Sequence, residues 1–164
     1  MQARIPQACL IAVVALGLVV VFAGTTFAQP GSSNLGTWKI NLAKAKYAAG
    51  TAPKSSTFTV VAAGAGIKVT VDSVGPDGTV SHWGYTANYD GKDNPITGNC
   101  LYGDVVAATR VDANTIRVVY KKGGTVTVTQ TFVVSSDGKT GTITGTGTNA
   151  AGQPVSSVVV YDKQ

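Results

Sequence analysis

Turn signals recur along this chain at a spacing of about a dozen residues, the rhythm of consecutive hairpins. They are Ala63-Gly64-Ala65-Gly66, Pro76-Asp77-Gly78, Asp90-Gly91, Asp112-Ala113-Asn114, Gly123-Gly124, Asp137-Gly138 and Asn149-Ala150-Ala151-Gly152. Asp-Gly and Gly-Gly supply the positive φ angles that tight hairpin turns require. Between the turns the side chains alternate. Ile67, Val69 and Val71 alternate with Lys68, Thr70 and Asp72. Trp83, Tyr85, Ala87 and Tyr89 alternate with His82, Gly84, Thr86 and Asn88. Val126, Val128, Gln130 and Phe132 alternate with threonines at 125, 127, 129 and 131. Period two means strands with one face buried and the other wet.

About ten strands follow, near 36–42, 56–63, 67–73, 80–89, 92–97, 105–111, 115–121, 125–134, 140–148 and 155–162. The one stretch with helical character is a turn or so around 43–48. An open sheet of this size twists and leaves two unpaired edges, whereas an up-and-down barrel has none. A two-sheet sandwich is the alternative, but its crossovers need longer connections, and only 43–55 and 98–104 could supply them. The fold class is therefore all-β: a single antiparallel up-and-down barrel of eight to ten strands over residues 36–164.

The N-terminus reads differently. Arg4 precedes an apolar run from Ala8 to Phe22, interrupted by Gly17, and Thr26-Phe27-Ala28 places small residues as a cleavage site does. Residues 1–28 read as a signal peptide cut before Gln29, with 29–35 as a flexible lead-in. An uncleaved anchor is the alternative; the small-residue site and Pro30-Gly31 favour cleavage. Cys9 sits at the start of the run, away from any lipid-attachment position. Secretion or a periplasmic location follows, with no stable membrane insertion after cleavage.

Loss of 28 from 164 residues leaves 136, enough for one domain with a real core. Arg4 leaves too, so 12 basic residues face 8 acidic ones, all of them aspartates, for a charge of +4. The lysines are scattered, and no basic stripe is interleaved with aromatics, so nucleic acid is not an expected partner. Cys100 is the single cysteine after cleavage, so no internal disulfide forms. It is expected to be buried or half-buried, with no His or Arg beside it to activate a thiolate. A monomer is expected.

Gly36-Thr37-Trp38 on the first strand, the run of hairpins and the final "VVVYDKQ" resemble the calycin group, lipocalins and fatty-acid-binding proteins. The stretches "GTWKINLAKAKY", "YDGKDNPITGN" and "VVSSDGKTGTITGTGTNAAGQPV" look more closely like small exported bacterial lipocalin-like proteins of unassigned function. The resemblance implies a barrel around a cavity for a small apolar molecule. It also implies a structural role for Gly36 and Trp38, as a plug across the closed end. Residues 43–55 are too few for the paired lid helices of fatty-acid-binding proteins, so a cavity would open to water there. The Arg-x-Tyr that holds a fatty-acid carboxylate in those proteins falls on Val159 and Tyr161, and the arginine is absent. The helix that lipocalins pack near their C-terminus is also missing: the sequence given stops two or three residues after the last strand.

Catalytic chemistry finds little purchase. His82 is the only histidine, and the alternation turns it away from Trp83 and Tyr85, toward solvent. One His and one Cys cannot close a zinc site, and Asp90, Asp93 and Asn94 lack the order and terminal Glu of a calcium loop. "DGKTGTITGTG" precedes no helix, so it is not a phosphate cradle; Gly141, Gly145 and Gly147 mark bulges or a barrel corner. No metal, cofactor or enzymatic activity is expected.

The inner face carries the function. Taking the more apolar parity of each strand inward gives Phe58, Val60, Ile67, Val69, Val71, Trp83, Tyr85, Tyr89, Val105, Thr109, Ile116, Val118, Tyr120, Val128, Gln130, Phe132, Val159 and Tyr161. The candidate ligand-binding residues are Phe58, Trp83, Tyr85, Tyr89, Tyr120, Gln130, Phe132 and Tyr161. Arg110 and Arg117 fall on the outward parity; an inward arginine would bring an uncompensated buried charge. The expected function is binding of a small hydrophobic molecule in the barrel. The alternative is a structural or protein-interaction module of the envelope, inhibitor-like, whose barrel is simply filled.

Overall fold

The computed structural model describes residues 32–47, 51–148, 152 and 154–164. The signal peptide expected over 1–28 lies outside them. Ten antiparallel strands follow one another: β1 Gly36–Ile40, β2 Ser55–Ala63, β3 Gly66–Val74, β4 Val80–Ala87, β5 Asp90–Gly98, β6 Val105–Arg110, β7 Thr115–Lys122, β8 Thr125–Val134, β9 Thr140–Thr148 and β10 Pro154–Lys163. Each pairs with its neighbours in sequence, and β1 pairs with β10, so the sheet closes into an up-and-down barrel. The turn residues set these boundaries: Gly64, Gly78, Gly91, Gly123, Gly124 and Gly138 all take the positive φ that the hairpins need. The helical turn near 43–48 reduces to one turn over 42–44, closed by Ala45 N–H donating to Asn41 O. No described helix is long and apolar enough to cross a membrane.

The alternation holds. On β3 and β4, Ile67, Val69, Trp83 and Tyr85 are buried, while Lys68, Asp72, His82 and Thr86 are exposed. His82 Nδ1 lies 2.6 Å from Asp72 Oδ1 on the outer surface, with both side chains about two-thirds exposed. No third member completes a hydrolytic triad there among the bonds of the described residues; Ser81 is turned inward and donates to Asn99 O.

One strand is reversed from expectation. In β6 it is Val106 and Ala108 that face the core, not Val105 and Thr109. The register decides it: Val106 lies opposite Tyr120, Ala108 opposite Val118 and Arg110 opposite Ile116, and direct partners share a face. Val105-Val106-Ala107-Ala108 is apolar at both parities, so hydrophobicity alone cannot choose. Arg110 therefore takes the inward parity, contrary to the outward placement expected for it, whereas Arg117 is exposed as expected. No register shift interrupts the β9 ladders, so Gly141, Gly145 and Gly147 are not bulges.

The barrel is stopped at one end. Trp38 is fully buried, stacked on Phe58 and edge-on to Phe132 at 5.2 Å between ring centres. Gly141 makes that contact possible: a Cβ there would come within 2.7 Å of Phe132 Cζ and 3.1 Å of the Trp38 ring. From Ser32 to Asn34 the lead-in forms a 3-10 turn under this cluster. Trp38 Nε1 donates to Asn34 O at 3.0 Å, Ser33 Oγ donates to Ala113 O, and Lys163 Nζ donates to Ser33 O while lying 5.2 Å from the Trp38 ring centre. Replacing Trp38 by Ala removes the centre of this cluster, and the unfolding free energy should fall by about 3–5 kcal/mol. Urea denaturation followed by circular dichroism measures it.

Candidate functional site

Above the plug the barrel is hollow. A cavity of about 240 Å³ runs from Asn34, Ile67 and Ile116 near the closed end to the rim, where Tyr47, Thr51, Pro53, Pro76 and Leu101 border it. Tyr47, Thr51 and Pro53 thus border the cavity in the 43–55 segment, near which it is expected to open to water. The volume is small beside the range of roughly 300–1,000 Å³ for drug-sized ligands. It exceeds the roughly 150 Å³ of an engineered apolar cavity that takes benzene.

Two aromatic clusters form its walls. Phe58, Phe132 and Tyr161 continue upward from Trp38, with Phe58 and Tyr161 edge-on at 4.8 Å. Trp83, Tyr85, Tyr102 and Tyr120 form the second, with Trp83 6.0 Å from Tyr120 and Tyr102 5.1 Å from Tyr120. Edge-to-face contacts of this kind set ring orientations and add to simple burial. Aliphatic side chains from β3 and β7, among them Val69, Val71, Ile116 and Val118, fill the spaces between.

Polar groups are few. Tyr120 hydroxyl donates to Gln130 Oε1 at 3.3 Å, and the Tyr102 ring lies 5.1 Å from that of Tyr120. Ser56 Oγ and the Tyr161 hydroxyl lie 3.2 Å apart. No Asp, Glu, Lys, Arg or His is among the described residues that line the cavity.

Seven of the eight expected binding residues meet here: Phe58, Trp83, Tyr85, Tyr120, Gln130, Phe132 and Tyr161. Tyr89 is elsewhere. β4 ends at Ala87, so the alternation does not carry through to Tyr89, which sits in the connection at the closed end. Its hydroxyl accepts from Asn34 Nδ2 at 2.8 Å, and the Arg110 guanidinium lies over its ring, 4.1 Å from the centre. That cation–π contact is what the inward arginine faces. Asn34 Oδ1 is buried with no partner among the described residues.

Alternation missed two kinds of lining residue. Ser56, Ser73 and Ser157 share the inward parity of their strands but lie beyond the residues expected to line the interior. Continuing each parity one step toward the mouth finds all three. Tyr47 and Tyr102 come from connections, where no period exists. Tyr102 is carried inward because the β5–β6 connection hugs β7: Asp104 N–H donates to Lys121 O, and a Cβ on Gly103 would lie 2.8 Å from the Lys121 carbonyl carbon. Thr127 Oγ1 donates to the backbone carbonyls of Tyr102 and Tyr120, tying the connection to the barrel. Cys100, in the same connection, is half-buried and unpaired; burial pushes its thiol up, against backbone hydrogen bonds from Tyr102 and Gly103.

Burial also raises the tyrosines. Tyr102 is pushed up to about 12, and Tyr85, Tyr120 and Tyr161 are raised by the same loss of hydration. Tyr47 is raised by burial first, then by the neighbouring Tyr161 and Tyr102. All five are neutral hydrogen-bonding groups at ordinary pH.

Compared with models of protein families and with curated proteins, the sequence matches none.

The raised tyrosines make stability depend on alkaline pH. Unfolded tyrosines ionise near pH 10. The folded chain keeps its protons to higher pH, so above about pH 10 the unfolded state binds fewer protons and stability falls. Below that both states are protonated and the contribution is constant. Thermal melts between about pH 8 and 12 should show a flat region, then a falling midpoint from about pH 10 onward. Tyrosinate absorbance should rise together with unfolding.

Proposed function

We propose that this chain is an exported, non-enzymatic barrel that holds a small, largely apolar molecule in its interior. The observation that carries the reading is the aromatic-walled cavity open at one end and stopped by Trp38 at the other. Its composition, mainly apolar with a few directional hydroxyl and amide groups, is that of a small-molecule site. The closed ten-strand antiparallel barrel is consistent with a lipocalin-like, calycin-type protein. Export rests on the residue pattern of 1–28, and N-terminal sequencing of secreted material should begin at Gln29. The apolar-in, polar-out alternation, the reverse of an outer-membrane barrel, supports a barrel that works in water.

The competing reading is an envelope interaction module. Leu101 and Val80 favour it, both well exposed at the open end. A filled barrel was its premise, however, and about 240 Å³ of interior space argues against that premise.

Binding is tested with 1-aminoanthracene, a neutral fluorescent probe of apolar cavities. Its emission should rise on mixing with the purified protein. Val118→Trp, which projects a large ring into the cavity from β7, should cut the affinity at least about tenfold, the equivalent of about 1.4 kcal/mol. Val69→Phe serves as the second filling variant, and circular dichroism confirms the barrel in each. Unchanged binding in both folded variants would place the probe outside the barrel and refute the proposal.

A further inference from the structure

We infer that the cavity selects an uncharged, planar aromatic molecule bearing a hydroxyl or carbonyl group, which hydrogen-bonds to the Tyr120–Gln130 pair or to the Tyr102 hydroxyl beside it. The inference rests on the barrel being a binder and specifies what it binds.

Charge is the first discriminant. No ionisable side chain other than tyrosine lines the described cavity. A carboxylate entering it would lose its hydration and meet no cation, a cost of several kcal/mol. An ammonium group would find no carboxylate. The one inward arginine, Arg110, is not among the lining residues; it lies over Tyr89 near the closed end. The fold thus keeps its interior charge away from the space a ligand would occupy.

Shape is the second. The two aromatic clusters present ring faces and edges to one space, and Trp83 and Tyr85 are nearly parallel, with 21° between their planes. Offset-stacked and edge-to-face contacts favour another flat ring over a flexible chain, which also loses rotamer freedom on confinement. A volume of about 240 Å³ suits two fused rings with a substituent better than a long acyl tail.

The hydrogen-bonding group is the third. Gln130 Oε1 accepts from the Tyr120 hydroxyl, which leaves lone pairs on that hydroxyl oxygen, and the Tyr102 hydroxyl, on a side chain that lines the same space, has a proton to donate. A ligand hydroxyl can donate to the first; a ligand carbonyl can accept from the second. Because both tyrosines are held neutral, these groups keep their donor and acceptor roles across the physiological range.

The test compares four probes with the purified protein at about pH 7: 2-naphthol, naphthalene, 2-naphthoate and 1-octanol, by isothermal titration and tryptophan quenching. 2-Naphthol should bind tightest, with 2-naphthoate at least about tenfold weaker and 1-octanol weaker than naphthalene. Gln130→Leu should weaken 2-naphthol about five- to tenfold, the effect of one lost hydrogen bond, and leave naphthalene within about twofold. If that variant misfolds, Tyr120→Phe, which keeps the ring, reads the same difference. Binding of 2-naphthoate as tight as that of 2-naphthol would overturn the charge selection while leaving the barrel a binder. Octanol tighter than naphthalene would overturn the planar preference, and equal losses for 2-naphthol and naphthalene would overturn the role of Gln130. No binding by any of the four would overturn both this inference and the binder reading.

Discussion

The barrel depends on its seam. β1 is five residues long, and it meets β10 through three register pairs, Trp38 with Lys163, Lys39 with Asp162 and Ile40 with Tyr161, where β9 and β10 share nine. Without this junction the sheet is open, with β1 and β10 as bare edges of the kind that pair with other chains. The chain lengthens the seam beyond the strand itself. Asn41 N–H donates to Val160 O, Lys46 and Val158 exchange backbone bonds, and Asn41 Nδ2 donates to Asp162 Oδ2 at 2.7 Å. At the other end Gln164 N–H donates to Thr37 O. The segment after β1, too short for lid helices, serves instead as a strap across β10. Trp38 then locks the seam from inside, because it touches Phe58 on β2 and Phe132 on β8 at once.

How far this could be read from the residues follows from where hydrophobicity carries information. Strand boundaries were legible because Gly64, Gly91, Gly123 and Gly138 mark them by a backbone requirement that other residues meet poorly. Facing was legible on β3, β4 and β8, where threonine, lysine and aspartate alternate with valine and aromatics. It failed on β6, whose Val-Val-Ala-Ala offers no contrast, and there only pairing with Tyr120 and Val118 fixes the parity. The failure mattered, since it hid the inward arginine. The aromatic strand-borne part of the site is legible, whereas Ser56, Ser73, Ile143 and Ser157 on the strands and Tyr47 and Tyr102 in connections are not. The two tyrosines come from connections placed by tertiary hydrogen bonds between residues distant in sequence.

The interior is nearly neutral, and that shapes both stability and recognition. The ion pairs lie on the outside: Lys121 with Asp93, Lys122 with Asp104, Lys92 with Asp90 and Asp72 with His82. Exposed pairs of this sort contribute little. The core therefore relies on aromatic and aliphatic packing, with the Tyr120 hydroxyl bonded to Gln130 and the Tyr161 hydroxyl to Ser56. In such a medium a hydrogen bond is stronger than in water and an unpaired charge far more costly. Among the described residues the one inward cation, Arg110, is set over the Tyr89 ring and away from the cavity lining.

Stability and recognition are assigned to opposite ends of one aromatic column. Phe58 and Phe132 belong to both: below, they hold Trp38; above, they line the cavity. Trp38 itself lines nothing and is fully buried, so its contribution is to fix the floor. The upper cluster is less tightly held, because Tyr102 hangs from a connection anchored by Thr127 and by the backbone of Lys121 instead of a strand ladder. The β5–β6 connection lies apart from the β1–β10 seam, so the upper wall of the cavity and the closure of the barrel are held by separate sets of contacts.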